Sequence, residues 1–243
     1  MELWQWALAA LAALLVGISK TAVPGLGILA VAIFSLVFAP RESVGTVLLV
    51  LLAGDCFAVA AYRRQADWAQ LLRLLPWAVV GIAAGALALG RLDERALRLL
   101  LGVILTALAV FQIIRRRRGT RADQSVPRSI GILAGVTAGF TTMVANAAGP
   151  IMTLYLLAMR LPKLTFLGTT AWYFFIVNLL KVPFGVASGA ISATSLPISL
   201  ALVPLAALGA LLGRRLVTRI DQQTFEAIAL WLTLVAGLRL LVV

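Results

Sequence analysis

The chain has 243 residues, of which 62% are hydrophobic, and its mean hydropathy is +1.04. Apolar runs of this length exclude a soluble globular protein and predict an integral membrane protein. The net charge of +12 does not indicate nucleic-acid binding, because the arginines lie in short connections between apolar runs, where membrane topology places them. The chain has no histidine and one cysteine, which excludes histidine-based triads and a disulfide framework.

Eight apolar segments are predicted in chain order, at about 3–39, 43–62, 68–90, 94–114, 129–160, 163–188, 194–214 and 222–243. The first and the fifth are too long for one span, and each contains helix-breaking residues. These lie between Gly17 and Gly27 in the first segment, where Pro24 and Gly25 fall, and between Gly139 and Pro150 in the fifth. We therefore expect each long segment to form two half-helices that enter and leave by the same face. The N-terminal sequence lacks the basic region of a signal peptide, so the first segment is expected to be retained.

The positions of the basic residues favour this re-entrant arrangement. With eight single crossings, the basic residues outside the membrane would divide ten against nine between the two sides. If the first and fifth segments return to their starting side, the division becomes fourteen against five, with the larger number in the cytoplasm. An odd number of crossings in each half then follows, so the halves have opposite orientations and both termini face the periplasm.

The two halves of the chain also repeat each other. The recurring residues are Gly45, Thr46 and Asp55, found 123 positions before Gly168, Thr169 and Asn178, and Gly81, which falls opposite Pro204. We expect a first transmembrane repeat at 1–118, a basic cytoplasmic linker at 119–128 and a second repeat at 129–243. The predicted fold is an all-α membrane protein with two inverted-topology repeats, each with a broken or re-entrant first segment followed by three transmembrane helices.

Polar residues inside the apolar segments are the candidate functional groups, because each is costly in hydrocarbon and normally faces a cavity or a partner. Lys20 lies in the first break, where helix N-termini would also attract an anion. Small polar residues in the second break could donate hydrogen bonds to an oxyanion, while glycine allows the backbone to approach closely. The candidate substrate-binding residues are Lys20, Thr21, Gly25, Thr141, Thr142, Asn146 and Gly149.

Each candidate has a structural alternative. Lys20 could extend to the membrane interface or neutralise Asp55, and the residues of the second break could satisfy backbone groups that the break exposes. Asp55 is the candidate for proton coupling, and a structural ion pair would explain it equally well. For Lys181, extension to the interface is favoured over an anion contact at an outer gate. The candidate coupling or gating residues are Thr46, Asp55, Thr169, Asn178 and Lys181.

The second half carries the features of a known family between Gly139 and Phe184. The features are Ala145-Asn146-Ala147-Ala148-Gly149-Pro150, Leu154-Tyr155-Leu156-Leu157, Lys163, Phe166-Leu167-Gly168-Thr169-Thr170-Ala171 and Asn178-Leu179-Leu180-Lys181-Val182-Pro183. This run resembles the sulfite exporter TauE/SafE family, also called the toluene-sulfonate uptake permease family, and the length and doubled architecture agree. The resemblance implies movement of small sulfur-containing anions, such as sulfite, thiosulfate or organosulfonates, out of or into bacterial cells, and no cofactor.

Together these expectations describe a secondary transporter of a small sulfur oxyanion in the bacterial inner membrane, working by alternating access with Asp55 as the candidate for proton coupling. The alternatives are an anion channel and a carrier for a small organic anion without sulfur. An enzyme is disfavoured, because histidine is absent and no second embedded aspartate is placed to form a dyad. The expected partners are the substrate and the lipid bilayer, with a homo-oligomer left open. No metal, cofactor or nucleic acid is expected.

Overall fold

A computed structural model describes residues 2–38, 40–88, 127–193 and 195–242. These residues form α-helices joined by short connections, and none of them lies in a β-strand. The helices are α1 (Leu3–Thr21), α2 (Leu26–Val37), α3 (Pro40–Tyr62), α4 (Trp68–Ala88), α5 (Arg128–Ala145), α6 (Ala148–Ala158), α7 (Lys163–Ala187), α8 (Ser195–Val217) and α9 (Gln222–Val242). The predicted segment at 94–114, the arginines at 115–118 and linker residues 119–126 lie outside the described residues.

Six of the described helices are long and apolar enough to cross a membrane. They are α1, the Gly45–Tyr62 part of α3, α4, α5, α7 and α8. A helix of about 20 apolar residues matches the thickness of the hydrocarbon core, because each residue adds about 1.5 Å. The chain is therefore a multi-pass membrane protein, as its composition predicts.

Both long segments are interrupted at the predicted breaks, but neither consists of two half-helices. In the first, α1 has 19 residues and α2 has 12; in the second, α5 has 18 and α6 has 11. The first helix of each pair is long enough to span, because the glycines before the breaks remain helical and serve as packing contacts. The chain then folds back, since a Cβ atom at Gly131 near the start of α5 would lie 3.3 Å from the Tyr155 hydroxyl of α6.

The described helices group into two compact units. One unit comprises residues 1–71 and 163–221, and therefore contains α1, α2, α3, α7 and α8. The other comprises residues 72–162 and 222–243, which contain most of α4 together with α5, α6 and α9. Each unit draws helices from both halves of the sequence. The repeats predicted from the sequence therefore differ from the compact units, and their boundaries remain a prediction.

Small residues hold α1 against α8 in the first unit. Ala9, Ala12, Ala13 and Val16 of α1 are fully buried. A Cβ atom at Gly17 would overlap the carbonyl oxygen of Ala206. The two helices therefore approach to backbone contact, as small residues permit in membrane proteins.

The pair α4 and α5 in the second unit repeats this packing. Three close approaches in one pair of helices have a match in the other. Gly17 on Ala206 matches Gly139 on Ala78, Gly209 on Leu14 matches Gly81 on Val136, and Gly213 on Ile18 matches Gly85 on Phe140. Each α5 residue lies 122 positions after its α1 counterpart, and each α8 residue lies 128 positions after its α4 counterpart. The sequence comparison placed Gly81 opposite Pro204, which is wrong for the packing, because Gly209 is the residue that makes the equivalent contact.

Helices α3 and α7 also contact each other at equivalent positions. Gly45 lies near the start of α3, and a Cβ there would overlap Ala190, just beyond the end of α7. Gly168 lies near the start of α7, and a Cβ there would lie 2.8 Å from the nitrogen of Ala66, just beyond the end of α3. The two helices therefore run antiparallel. Each Gly-Thr dipeptide allows the connection that follows the other helix to pack closely.

We expect Gly17→Ala to destabilise the protein by about 1–3 kcal/mol, because the added Cβ would meet backbone atoms that cannot move aside without separating two helices. Gly149→Ala is the matched control, since a Cβ there would meet nothing within 4 Å. Thermal unfolding of both purified proteins in detergent measures the difference. Equal melting temperatures for the two variants would contradict the packing described here.

Candidate functional site

A buried ion pair joins the end of α1 to the middle of α3. Lys20 Nζ lies 2.7 Å from Asp55 Oδ1, and the two side chains are 9% and 0% exposed. Of the alternatives open from the sequence, neutralisation of Asp55 by Lys20 is the one observed. Extension of Lys20 to the membrane interface is not, because the side chain is enclosed by protein.

Asn178 completes the coordination of the Asp55 carboxylate. Its Nδ2 donates a hydrogen bond of 2.6 Å to Asp55 Oδ2, so the two carboxylate oxygens face different partners. Asp55 and Asn178 are the equivalent residues of the sequence repeat, 123 positions apart, and they touch each other. The Asn178 Oδ1 atom is buried and has no hydrogen-bond partner among the described residues.

An aromatic ring covers the ammonium group of Lys20. Its Nζ lies 4.2 Å from the centroid of the Phe174 ring on α7, within the range of a cation–π interaction. Phe174 is not among the residues predicted from the sequence. The available signal was its spacing, because Phe174, Asn178 and Lys181 follow one another at i, i+4 and i+7 and so lie along one face of a helix.

Lys181 is part of the same buried cluster. Its side chain is only 3% exposed, and it lies within electrostatic range of both Lys20 and Asp55. The favoured expectation that Lys181 extends to the interface is therefore wrong. Its position on the inward face of α7, in line with Asn178, places it inside the protein. We name the four residues Lys20, Asp55, Asn178 and Lys181 the charged cluster.

A small residue on α3 makes room for Lys20. A Cβ atom at Gly54 would lie 3.3 Å from Lys20 Cγ and 3.2 Å from Val16 Cγ1. These contacts are tighter than ordinary packing, so a larger residue at position 54 would push the lysine stem away from α3. Gly54 thereby helps to place the Lys20 amine beside the neighbouring Asp55.

The first break is held by Thr21 and Gly25. The Thr21 hydroxyl lies 3.0 Å from the carbonyl oxygen of Gly17 and 2.9 Å from that of Ala210, and the Tyr62 hydroxyl donates to the Thr21 carbonyl. Thr21 thus links α1, α3 and α8. Gly25 has φ of 103°, a left-handed conformation that glycine adopts readily, and this turn allows α2 to start directly after it.

Thr46 and Thr169 are equivalent in sequence but not in bonding. The Thr169 hydroxyl donates to the Thr165 carbonyl at 2.7 Å and accepts from the Asp67 backbone N–H at 2.9 Å. It therefore fixes the connection between α3 and α4. The Thr46 hydroxyl is fully buried and has no hydrogen-bond partner among the described residues.

The second break is a tight turn. Asn146 has φ of 53° and ends α5, while the backbone N–H of Ala147 donates to the Thr141 carbonyl. Thr141 and Thr142 are buried in the last turn of α5, and the Thr141 hydroxyl bonds back to the Ala138 carbonyl. Open space lies beside Gly149 in the first turn of α6. The N-cap residue of α6, Ala147, provides no side-chain cap.

The described residues contain no group of three or more metal-ligating side chains. What the charged cluster offers is electrostatic: two ammonium groups, one carboxylate and one amide in a space almost closed to solvent. Such a site can hold an anion against its ammonium groups and can exchange a proton at its carboxylate. The substrate and coupling roles of the individual residues remain predictions.

A family model described as Sulfite exporter TauE/SafE matches residues 9–240 of the chain. No significant match was found among curated proteins or among solved structures.

Proposed function

The chain belongs to the sulfite exporter TauE/SafE family, and on this basis we propose that it is a secondary transporter that carries a small sulfur-containing oxyanion across the bacterial inner membrane. Sulfite, thiosulfate and small organosulfonates are the candidate substrates. The proposal places the anion at the charged cluster, with alternating access as the mechanism. The observation that carries it is the charge of that cluster.

The charged cluster holds two lysine side chains against one aspartate. All three side chains lie in a part of the protein that is almost fully buried, and the basic groups among them outnumber the acidic one. Charged side chains inside a membrane protein are costly and commonly mark a substrate or ion pathway. Ammonium groups attract anions, so the composition of the cluster favours an anion as the substrate.

The closure of the charged cluster favours a carrier over a channel. The exposed fractions of Lys20, Asp55 and Lys181 are 9%, 0% and 3%, so an anion reaches them only after helices move apart. A channel constriction would instead remain accessible from at least one side during conduction. A carrier that opens to one side at a time accounts for a site that is occluded in this conformation.

Asp55 supplies a route for proton coupling. When Asp55 is ionised, its carboxylate forms an ion pair with Lys20. When Asp55 takes up a proton, the ion pair is lost and Lys20 can bind the substrate. The Asn178 amide can donate to the ionised carboxylate or accept from the protonated one, so it can retain the carboxyl group in both states. Proton uptake and anion binding would therefore assist each other.

We further propose that the two halves are inverted repeats. Support comes from α3 and α7, which run antiparallel and meet at the equivalent residues Asp55 and Asn178. Contact between a residue and its own counterpart is what a local two-fold axis produces, and an axis in the membrane plane relates inverted repeats. The basic residues would then place both termini in the periplasm.

We also propose that Thr141, Thr142, Asn146 and Gly149 at the second break bind the oxyanion, as expected from the sequence. The open space beside Gly149 is consistent with close approach of a ligand to the start of α6. Gly149→Ala tests this role directly. Because the added Cβ meets no protein atom within 4 Å, reduced transport by a stably folded Gly149→Ala protein would be evidence for this binding role, and unchanged transport would be evidence against it.

Uptake into proteoliposomes tests the proposed function. Labelled sulfite, thiosulfate and ethanesulfonate are offered separately, with and without a proton gradient and with unlabelled anion inside. Saturable uptake that unlabelled internal anion accelerates is expected for at least one of the three, and empty liposomes are the control. Uptake that rises linearly with concentration and shows no counterflow would indicate a channel, and no uptake of any of the three would contradict a sulfur-oxyanion carrier.

A further inference from the structure

A second positively charged site lies between α4 and α5. A cavity of about 330 Å³ opens there to the surface, and its lining includes Arg73, Trp77, Arg128 and Tyr155. The volume falls at the lower end of the range for small-molecule sites. It is about ten times the volume of one water molecule in the liquid, so it can hold a phosphate group together with part of a glycerol backbone.

The cavity carries positive charge without compensation from the described residues. Among the described residues, Arg73 and Arg128 are its charged lining residues, and no described carboxylate lines it. No salt bridge joins either arginine to another described residue. Arg128 is also the first residue of α5, whose N-cap Pro127 provides no side-chain cap, and a helix N-terminus adds to the attraction for an anion.

The shared helix packing does not require these arginines. The pair α1 and α8 is packed in the same register as α5 and α4, and its residues at the positions of Arg128 and Arg73 are Trp6 and Ala201. Equivalent helices therefore come together without arginine at either position. The charge of the cavity is an added feature of the α4–α5 pair and calls for a separate explanation.

The shape of the cavity follows from the sequence of α4 and α5. The helices touch at Gly81, Gly135 and Gly139, where a Cβ would meet the opposite backbone. Towards the start of both helices, Pro76 interrupts the hydrogen bonding of α4, and bulky side chains line the space, Trp77 from α4 and Tyr155 from α6. The helices therefore leave a space at the end where both arginines lie.

We propose that this cavity binds the phosphate group of an anionic phospholipid. Guanidinium groups bind phosphate oxygens in a bidentate manner, and tryptophan and tyrosine favour the headgroup level of a bilayer. The topology predicted from the basic residues places Arg73 and Arg128 on the cytoplasmic side, where anionic lipids give the leaflet its negative potential. A lipid phosphate is favoured over free phosphate, because the walls around the arginines are apolar and aromatic and suit the glycerol and upper acyl carbons.

Binding of phosphatidylglycerol to the purified full-length protein tests the proposal, measured by native mass spectrometry and by thermal stabilisation in detergent. Phosphatidylcholine, which has no net charge, and inorganic phosphate are the comparison ligands. We expect phosphatidylglycerol to bind most tightly and Arg73→Gln/Arg128→Gln to weaken its binding about thirty-fold, the effect of two basic groups at an anionic surface. The matched control is Arg215→Gln/Arg219→Gln, which removes two exposed arginines elsewhere and should bind lipid as the wild type does.

Three results would overturn the proposal. They are equal loss of phosphatidylglycerol binding in both double variants, unchanged binding in Arg73→Gln/Arg128→Gln, and stabilisation by inorganic phosphate as strong as that by the lipid. Neither pair of arginines belongs to the charged cluster, so the outcome is independent of the transport assay.

Discussion

Replacement of Lys20 by alanine is expected to abolish saturable anion transport and to destabilise the protein by about 3–5 kcal/mol, the usual cost of leaving one partner of a buried ion pair alone. Asp55 is fully buried and would lose its partner at 2.7 Å. The transport defect follows because Lys20 is the ammonium group that the proposed mechanism releases to the substrate. Uptake into proteoliposomes and thermal unfolding in detergent measure the two effects separately.

A double variant separates loss of function from loss of folding. Position 142, which corresponds to Lys20 in the second half, holds threonine, and the counterpart of Asp55 is Asn178. Lys20→Thr/Asp55→Asn therefore gives the first half the neutral residues that the second half already carries. We expect this protein to fold with a stability closer to wild type than Lys20→Ala and to transport no anion. Wild-type transport by the double variant would show that the Lys20–Asp55 pair is structural.

Asp55→Asn is expected to keep saturable anion transport but to lose its stimulation by a proton gradient. In the wild type, a proton on Asp55 removes the negative charge that competes with the substrate for Lys20, so anion affinity should rise as the pH falls. Asparagine cannot titrate, and the dependence should disappear. Initial uptake rates at several pH values, with and without an imposed gradient, measure this effect. A gradient that accelerates the variant as much as the wild type would exclude Asp55 as the coupling residue.

An exchange variant provides the control for this prediction. Asp55→Asn/Asn178→Asp retains one carboxylate and one amide at the contact where Asn178 Nδ2 now lies 2.6 Å from Asp55 Oδ2. The buried charge is unchanged, and the hydrogen bond can form in the opposite direction. We expect this protein to be more stable than Asp55→Asn and to regain part of the pH dependence. If it behaves as Asp55→Asn does, the position of the carboxylate matters as well as its presence.

The sequence was sufficient for the helices and for the breaks. Pro24 with Gly25, and Asn146 before Pro150, cannot continue a helix without cost, so the interruptions could be predicted from local chemistry. The lengths of the helices around the breaks could not. Glycine weakens a helix, so Gly17 and Gly139 suggest interruptions, but both residues stay helical. At each of them the missing side chain allows the backbone to contact another helix.

The charged cluster could be predicted only in part. Lys20, Asp55, Asn178 and Lys181 are costly in an apolar segment, and that cost marked all four as candidates. Which of them touch depends on the register of α1 and α7 against α3, set by close contacts such as that of Gly54 with Lys20. Phe174 went unnoticed because an aromatic residue in an apolar helix carries no such cost. Gly81 was paired with the wrong residue because the spacing between counterparts changes along the chain. The second half has five more residues before α8 than the first half has before α4.

Equilibrium binding of labelled sulfite and thiosulfate to the purified protein shows whether the charged cluster is the anion site, with wild type and Lys20→Thr/Asp55→Asn compared at the same pH. We expect saturable binding of one anion per chain by the wild type and none by the double variant, with the wild-type affinity rising as the pH is lowered. Equal binding by the two proteins would contradict this expectation and would move the anion site away from the charged cluster.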